Sequence, residues 1–189
     1  MPARLLSQAT AMSDPAIVRA YIANHRDRHR DELDWFARQT TREKAIERAA
    51  LAVGSDGLRL SHQRRLSGGT IRAAADKLIA AQGLLWAAEN FDELIEAVRR
   101  LVIGIAGIGP LYVYDTALRI AAFRGDRFAP NRVYLHAGVS RGARGLFKTR
   151  AGRVVELDHF PEVYQQLSAR ELEHLLCSFH KNLEARRRA

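Results

Sequence analysis

The stretch LVIGIAGIGPLYVYDTALRI, residues 101–120, decides the fold that this sequence predicts. An apolar helix runs into the G-I-G triplet at residues 107–109, and a second amphipathic helix begins directly after it. Gly107 and Gly109 permit positive φ, and their missing Cβ atoms let a phosphate approach the amides at the N-terminus of the second helix. The stretch therefore predicts a helical hairpin whose turn binds phosphate. The alternative is an αα-hairpin whose glycines only permit a tight turn.

Further helix signals lie on the N-terminal side of this hairpin. Residues 13–15, Ser-Asp-Pro, predict the start of one long first helix, because a capping hydroxyl and a proline both suit the first helical turn. Thr40 and Glu43 form a capping box for a second helix, which Gly54 is expected to end. An irregular basic connection follows over residues 54–69, and helical spacing returns from Thr70.

The C-terminal half shows mostly helix signals too. Asn90 is expected to cap the first hairpin helix, and Gly125 to end the second. Ser168 and Glu171 form a capping box for a final helix, and a short strand-like stretch spans residues 133–135. The strand-like pieces are too few for a substantial sheet, so the fold class is predicted to be mainly α. We expect a flexible leader over residues 1–12 and a single helical domain over 13–189, with the hairpin at 92–124 and a basic loop region at 124–153.

Composition narrows the class of partner. The 189 residues include 30 Lys and Arg against 21 Asp and Glu, a formal net charge of +9, which favours polyanions and nucleic acid first. Cys177 is the single cysteine, which excludes an intramolecular disulfide and favours a reducing, cytoplasmic location. No apolar run approaches the roughly 18 residues that a membrane span needs, so we expect no membrane partner.

Much of the positive charge falls in residues 124–153, where eight basic side chains accompany a single acid, Asp126. Arginine side chains suit phosphate, and the aromatic residues between them are candidates for base stacking. Glycines 138, 142 and 145 predict either a backbone-amide nest for the same anion or simple turns. The alternative to binding is a solvated loop with ordinary core aromatics. The candidate phosphate contacts are Arg124, Arg127, Arg132, Arg141, Arg144, Lys148 and Arg150.

The hairpin resembles the helix-hairpin-helix motif of DNA-repair glycosylases and other DNA-binding proteins that do not read sequence, on the G-hydrophobic-G core at residues 107–109. The resemblance covers about 25 residues. It implies phosphate contacts at Gly107, Gly109 and Leu111, and a monovalent cation held by nearby carbonyls. No other cofactor is expected. Val113 stands where the family usually has a small residue, and Ala106 where it usually has proline.

The resemblance to the glycosylase superfamily is weaker but implies candidates for catalysis. In V-Y-L-H, residues 133–136, His136 matches the family histidine while Tyr134 stands where the catalytic aspartate belongs. Leu111 occupies the position of the lysine that forms a Schiff base in some members, so that chemistry is excluded. Asp115 and Asp158 are the remaining acids that could activate a water, although Asp115 also has the spacing of a helix ion pair with Arg119.

One further cluster is a candidate metal site. His25, His29 and Glu32 fall on one face of the predicted first helix, where an exposed charged face is favoured over a metal site.

The sequence leaves three hypotheses on function. The leading hypothesis is a DNA-backbone-binding protein without an enzymatic activity. The second is a glycosylase-like hydrolase acting on a flipped base, and the third is a protein–protein interaction module, which requires an exposed apolar patch.

Overall fold

The computed structural model describes residues 12–147 and 154–186. Within them the mainly α class is confirmed. In chain order the helices and strands are α1 (Asp14–Asn24), α2 (Arg26–Ala37), α3 (Arg42–Leu51), α4 (Gly68–Ala80), α5 (Gln82–Ala87), α6 (Phe91–Val102), α7 (Pro110–Arg124), β1 (Arg132–Tyr134), α8 (Ala137–Leu146), β2 (Val154–Glu156), α9 (Ala169–Ser178) and α10 (His180–Arg186).

Contacts along the chain divide it into two compact units. The central unit comprises residues 26–131 and contains α2 to α7. The terminal unit comprises the chain up to His25 together with the chain from Arg132 onward, and contains α1, α8, α9, α10 and the two strands. The expectation of one domain over 13–189 stays a prediction.

Helix α7 forms the middle of the central unit. It packs against α2, α3 and α6, and residues 112–114 and 116–121 are buried around its whole circumference. A helix that is buried on all sides belongs to the interior of a fold. The Tyr112 hydroxyl donates to the Ala50 carbonyl at 2.8 Å, which fixes α7 to α3. Burial raises the pKa of Tyr112 to about 12.

Local sequence signals explain most helix ends in this unit. Asn90 caps α6 as predicted, its side chain accepting from the Glu93 amide. The capping residue of α3 is Thr41, one residue later than predicted, and α3 ends at Ala52 in the left-handed conformation (φ 53°) rather than at Gly54. Helix α5 was not predicted, and Gly83 lies inside it.

The terminal unit packs helices against a two-stranded hairpin. Strand β2 was not predicted; it pairs antiparallel with β1, with Val133 opposite Val155. Its core gathers side chains from α1, α8, α9 and α10 beneath these strands. The Tyr164 hydroxyl donates to Asp14 at 2.5 Å, which joins the start of α1 to the C-terminal half of the chain.

The prediction of one long first helix is wrong. The helix breaks at His25, whose φ of −128° departs from helical geometry. The His25 ring stacks on Tyr21 and meets Phe179 edge-on, with ring centroids 5.3 Å apart in the second contact. These aromatic contacts hold His25 in the terminal unit, whereas α2 belongs to the central unit. His29 and Glu32 lie in α2, so the three residues do not belong to one continuous helix as predicted.

Residues 137–146 form helix α8 where a loop and an amide nest were predicted. Gly142 and Gly145 allow close packing of this helix. A Cβ at Gly142 would lie 2.3 Å from the Leu176 carbonyl oxygen, and one at Gly145 would lie 2.4 Å from that of Leu183. Both contacts are far shorter than van der Waals distance, so only glycine lets α8 approach α9 and α10 this closely. The nest interpretation is wrong for these two glycines.

We predict that Gly142→Ala lowers the free energy of unfolding by about 2–3 kcal/mol, because the new methyl group meets the Leu176 backbone and α8 must move. Gly83→Ala is the matched control: it lies in α5 with nothing within 4 Å of its Cβ, so the same substitution is expected to be neutral or mildly stabilising. Denaturant unfolding measures both. Equal stability of the two variants would contradict the packing role of Gly142.

Candidate nucleic-acid interface

The turn between α6 and α7 spans residues 103–109. Gly104 and Gly107 adopt positive φ, 82° and 88°, so that expectation is confirmed for Gly107. Gly109 does not adopt positive φ: its backbone is extended (φ −120°) and it forms the N-cap of α7. The Ile105 amide donates to the Val102 carbonyl and the Ile108 amide to the Ile105 carbonyl, which holds the turn in one conformation.

Several amides at this turn have no backbone acceptor among the described residues. They include those of Gly107, Gly109 and Leu111, for which phosphate contacts were predicted, and also those of Ile103, Gly104, Ala106 and Tyr112. Pro110 contributes no N–H, and the Val113 amide already donates to the Gly109 carbonyl. The amides of Gly109, Leu111 and Tyr112 lie at the N-terminal end of α7, where the helix dipole also favours an anion.

A second helix N-terminus lies against this turn. Helix α4 begins after Ser67, whose hydroxyl accepts from the Thr70 amide at 3.0 Å. A Cβ built at Gly107 would lie 3.6 Å from the Leu66 side chain and 3.9 Å from that of Thr70. The Thr70 hydroxyl is also 3.5 Å from the Ala106 carbonyl oxygen. The N-terminal end of α4 therefore lies against Ala106 and Gly107, in the turn that precedes α7.

These two N-termini share an electrostatic feature that the neighbouring long helices lack. Neither α4 nor α7 carries an acidic residue in its first turn. Helices α2, α3 and α6 carry Asp27, Glu43, and Asp92 with Glu93, respectively, in that position. A carboxylate in the first turn compensates the positive end of the helix dipole. That end is therefore compensated in α2, α3 and α6 and uncompensated in α4 and α7, as it is in the shorter α5.

Arginines flank the start of α4. Arg64 and Arg65 are both exposed. The Arg59 side chain donates to the Leu66 carbonyl and the Arg64 side chain to the Arg59 carbonyl, which orders the chain before α4. We call residues 64–70 together with 104–111 the turn surface. Sequence analysis missed its first half, although Ser-Gly-Gly-Thr after two arginines is a recognisable helix start beside basic charge.

Arg124 has a structural role where a phosphate contact was predicted. Its guanidinium donates to the carbonyls of Leu85 (2.7 Å), Trp86 (3.1 Å) and Ala88 (2.7 Å) at the end of α5. It also lies 3.6 Å from the centroid of the Phe128 ring. Desolvation lowers the pKa of Arg124, and the charges of Arg127 and Arg42 add to that effect. Its donors hold the C-terminal end of α5, so we exclude it from the interface.

The other predicted basic contacts divide between the units. Arg127 is exposed in the central unit, beside the Phe128 ring. Arg132, Arg141 and Arg144 belong to the terminal unit, where Arg132 pairs with Glu156 at 3.6 Å and the other two are exposed on α8. Lys148 and Arg150 lie outside the described residues. A single arginine-rich surface over 124–153 stays a prediction.

Asp115 belongs to a buried polar cluster on α7. Gln63 donates to its carboxylate at 2.9 Å, and the Arg119 guanidinium lies 3.6 Å from the same oxygen, so the predicted ion pair is confirmed. Arg119 is 3% exposed and lies over the Phe36 ring, with Glu32 at 3.9 Å. These contacts connect α7 to α2 and to the chain before α4, which is a structural role for Asp115.

The other catalytic candidates lie in the terminal unit. His136 is buried at the start of α8, and its Nε2 is 2.5 Å from the carboxylate of Glu173, a partner that sequence analysis did not identify. Tyr134 lies in β1, opposite Val154. Asp158 is exposed on a short 3-10 turn. Asp115 belongs to the other unit.

Among the described residues, no three His, Cys, Asp or Glu side chains are grouped so that they could hold a metal ion. None of the described helices is both long and apolar enough to span a membrane. Comparisons with protein-family models, curated proteins and solved structures find no match to this chain. The geometry of its own residues therefore carries the functional argument.

We predict that Arg124→Ala lowers the free energy of unfolding by about 2–4 kcal/mol, because three carbonyls at the end of α5 lose their donor. Arg127→Ala removes the same charge three residues away from an exposed position and should cost under about 1 kcal/mol. Urea titrations of both variants test this. If they are equally stable, Arg124 does not hold α5.

Proposed function

We propose that the central unit binds the sugar-phosphate backbone of nucleic acid, duplex DNA in the first instance, through the turn surface. The observation that carries this proposal is the contact between the N-terminal end of α4 and the turn that precedes α7, beside the exposed Arg64 and Arg65. Neither of these two helices has an acid in its first turn. The single cysteine and a net charge of +9 favour a reducing, cytoplasmic setting in which a polyanion is the partner.

The donors of the turn surface suit phosphate oxygens better than base edges. Amides of Gly107, Gly109 and Leu111 are short, fixed donors on the backbone, and they reach an anion only where the partner approaches the turn closely. Such contacts carry no sequence information by themselves, because every nucleotide presents the same phosphate. We therefore expect binding that depends on charge and backbone shape, with little preference among sequences.

The likeness to helix-hairpin-helix proteins supports the same function. Helices α6 and α7 pack on each other, and Gly107 in the left-handed region precedes the first turn of α7. A glycosylase-like activity has less support, because Asp115 and His136 are each engaged with a neighbouring side chain, Gln63 and Glu173 respectively. We therefore keep base excision as the alternative and propose binding as the function.

The first test measures the salt dependence of binding. Fluorescence anisotropy with duplexes of two unrelated sequences should give equal affinities that fall steeply with salt. A surface that neutralises about three phosphates predicts a slope of about −3 in log K against log salt concentration. An affinity that is independent of salt, or absent for duplex and single strand alike at low salt, would overturn the proposal.

The second test assigns binding to the turn. Gly109→Asp places a carboxylate beside the free amides, while the extended backbone of Gly109 and the open space around it leave the fold intact. We expect about tenfold weaker binding from charge repulsion. Gly83→Asp is the control, with the same added charge, equal open space and a position on α5. Equal affinities of the two variants would remove the turn from the interface.

A further inference from the structure

Two exposed serines before α4, Ser61 and Ser67, each follow the dipeptide Arg-Leu. The residue before that dipeptide is Arg64 for Ser67 and Leu58 for Ser61. Ser67 therefore has arginine both two and three residues before its hydroxyl group, and no other serine or threonine in the sequence has this pattern. A class of serine kinases selects acceptors with arginine at these two positions, because carboxylates of the kinase pair with the guanidinium groups.

The Ser67 hydroxyl is held only by contacts that are local in the chain. Its oxygen accepts from the Thr70 amide at 3.0 Å and its proton is donated to the Thr70 hydroxyl at 2.9 Å. The Ser67 backbone is extended, with φ −65° and ψ 153°. The residue before it, Leu66, is held by a hydrogen bond from Arg59 to its carbonyl. Opening one helical turn at the start of α4 therefore frees the hydroxyl.

The first turn of α4 is built to open at low cost. It contains Gly68 and Gly69, and glycine is the poorest helix former after proline. A Cβ at either position would meet nothing closer than 3.9 Å, so packing does not require glycine there. The chain just before this turn is anchored by the buried Gln63, which donates to Asp115. Residues 64–69 can therefore open locally while the central unit stays folded.

We propose that Ser67 is a phosphorylation site for a serine kinase that recognises arginine two and three residues before the acceptor. The Ser67 hydroxyl oxygen bonds to the γ-phosphorus of Mg-ATP on the kinase, and the bond from that phosphorus to the departing ADP oxygen breaks. The hydroxyl proton passes to the catalytic aspartate of the kinase. The product phosphoserine carries a charge of about −1.5 to −2.

The consequence of this modification rests on the proposed function of the turn surface, to which Ser67 belongs. Its phosphate group would accept from the amides of Gly68 and Gly69, because the first amides of a helix have no acceptor within it. It would also pair with Arg64 and Arg65, whose charges it offsets. A backbone phosphate of nucleic acid would then meet an anion in place of free donors. Phosphorylation of Ser67 therefore switches nucleic-acid binding off.

Incubation of the full chain with Mg-ATP and the catalytic subunit of the cyclic-AMP-dependent protein kinase tests the site. Mass spectrometry should place the incorporated phosphate on Ser67, and Ser67→Ala should remove it. Ser61→Ala is the matched control and should leave incorporation unchanged. Arg64→Leu makes the three residues before Ser67 identical to those before Ser61, and should slow incorporation about tenfold or more. No phosphate on Ser67 of the folded wild-type chain, or equal incorporation at the two serines, overturns the assignment.

Fluorescence anisotropy with duplex DNA tests the switch. The phosphorylated chain should bind about tenfold more weakly than the unmodified chain, and removal of the phosphate by a phosphatase should restore the affinity. Equal affinities of the two forms overturn the switch. A chain that binds no duplex before modification overturns the proposed function and the switch with it, whereas the phosphorylation site is judged by the incorporation assay alone.

Discussion

Burial of α7 on all sides is the constraint on which the central unit depends. Polar side chains on such a helix lie largely out of water, where a polar group without a partner is costly. Asp115 and Arg119 pair with each other, and Gln63 completes the cluster with a hydrogen bond of 2.9 Å to Asp115. That bond attaches the irregular chain before α4 to α7. The start of α4 consequently lies beside the turn that precedes α7. The hydrogen bond between Gln63 and Asp115 thus helps to bring the two segments of the turn surface together.

Sequence patterns predicted those elements whose signals are local. The Asn90 side chain caps α6 through an amide three residues away, and Ser168 with Glu171 forms a reciprocal cap at α9. The helix break at His25 depends instead on the rings of Tyr21 and Phe179, the second of which is distant in sequence. Strand β2 and the glycine-mediated packing of α8 also depend on partners far along the chain. Periodicity within one segment contains no information on such partners.

Of the two segments of the turn surface, only 104–111 could be predicted from the sequence, because only its signal is local. The G-I-G triplet identified Gly107 and the free amides around it, because a glycine-rich turn before a helix has a local meaning. The contribution of residues 64–70 depends on the contact of Gly107 with Leu66 and Thr70, which no spacing rule reports. Arg124 illustrates the opposite error. A guanidinium donates to carbonyl oxygens as well as to phosphate oxygens. Only the fold shows that the Arg124 guanidinium already donates to carbonyls at the end of α5.

The placement of acidic residues also bears on where a polyanion can bind the central unit. Asp92 and Glu93 compensate the N-terminus of α6 and make that end of the helix unfavourable for a polyanion. The N-termini of α4 and α7 have no such acids, so the positive potential of helix dipoles remains where the free amides are. Moving one carboxylate into the first turn of α7 would remove that difference at little cost in packing. The charges at helix ends thus distinguish the turn surface from the start of α6 without any change in the hydrophobic core.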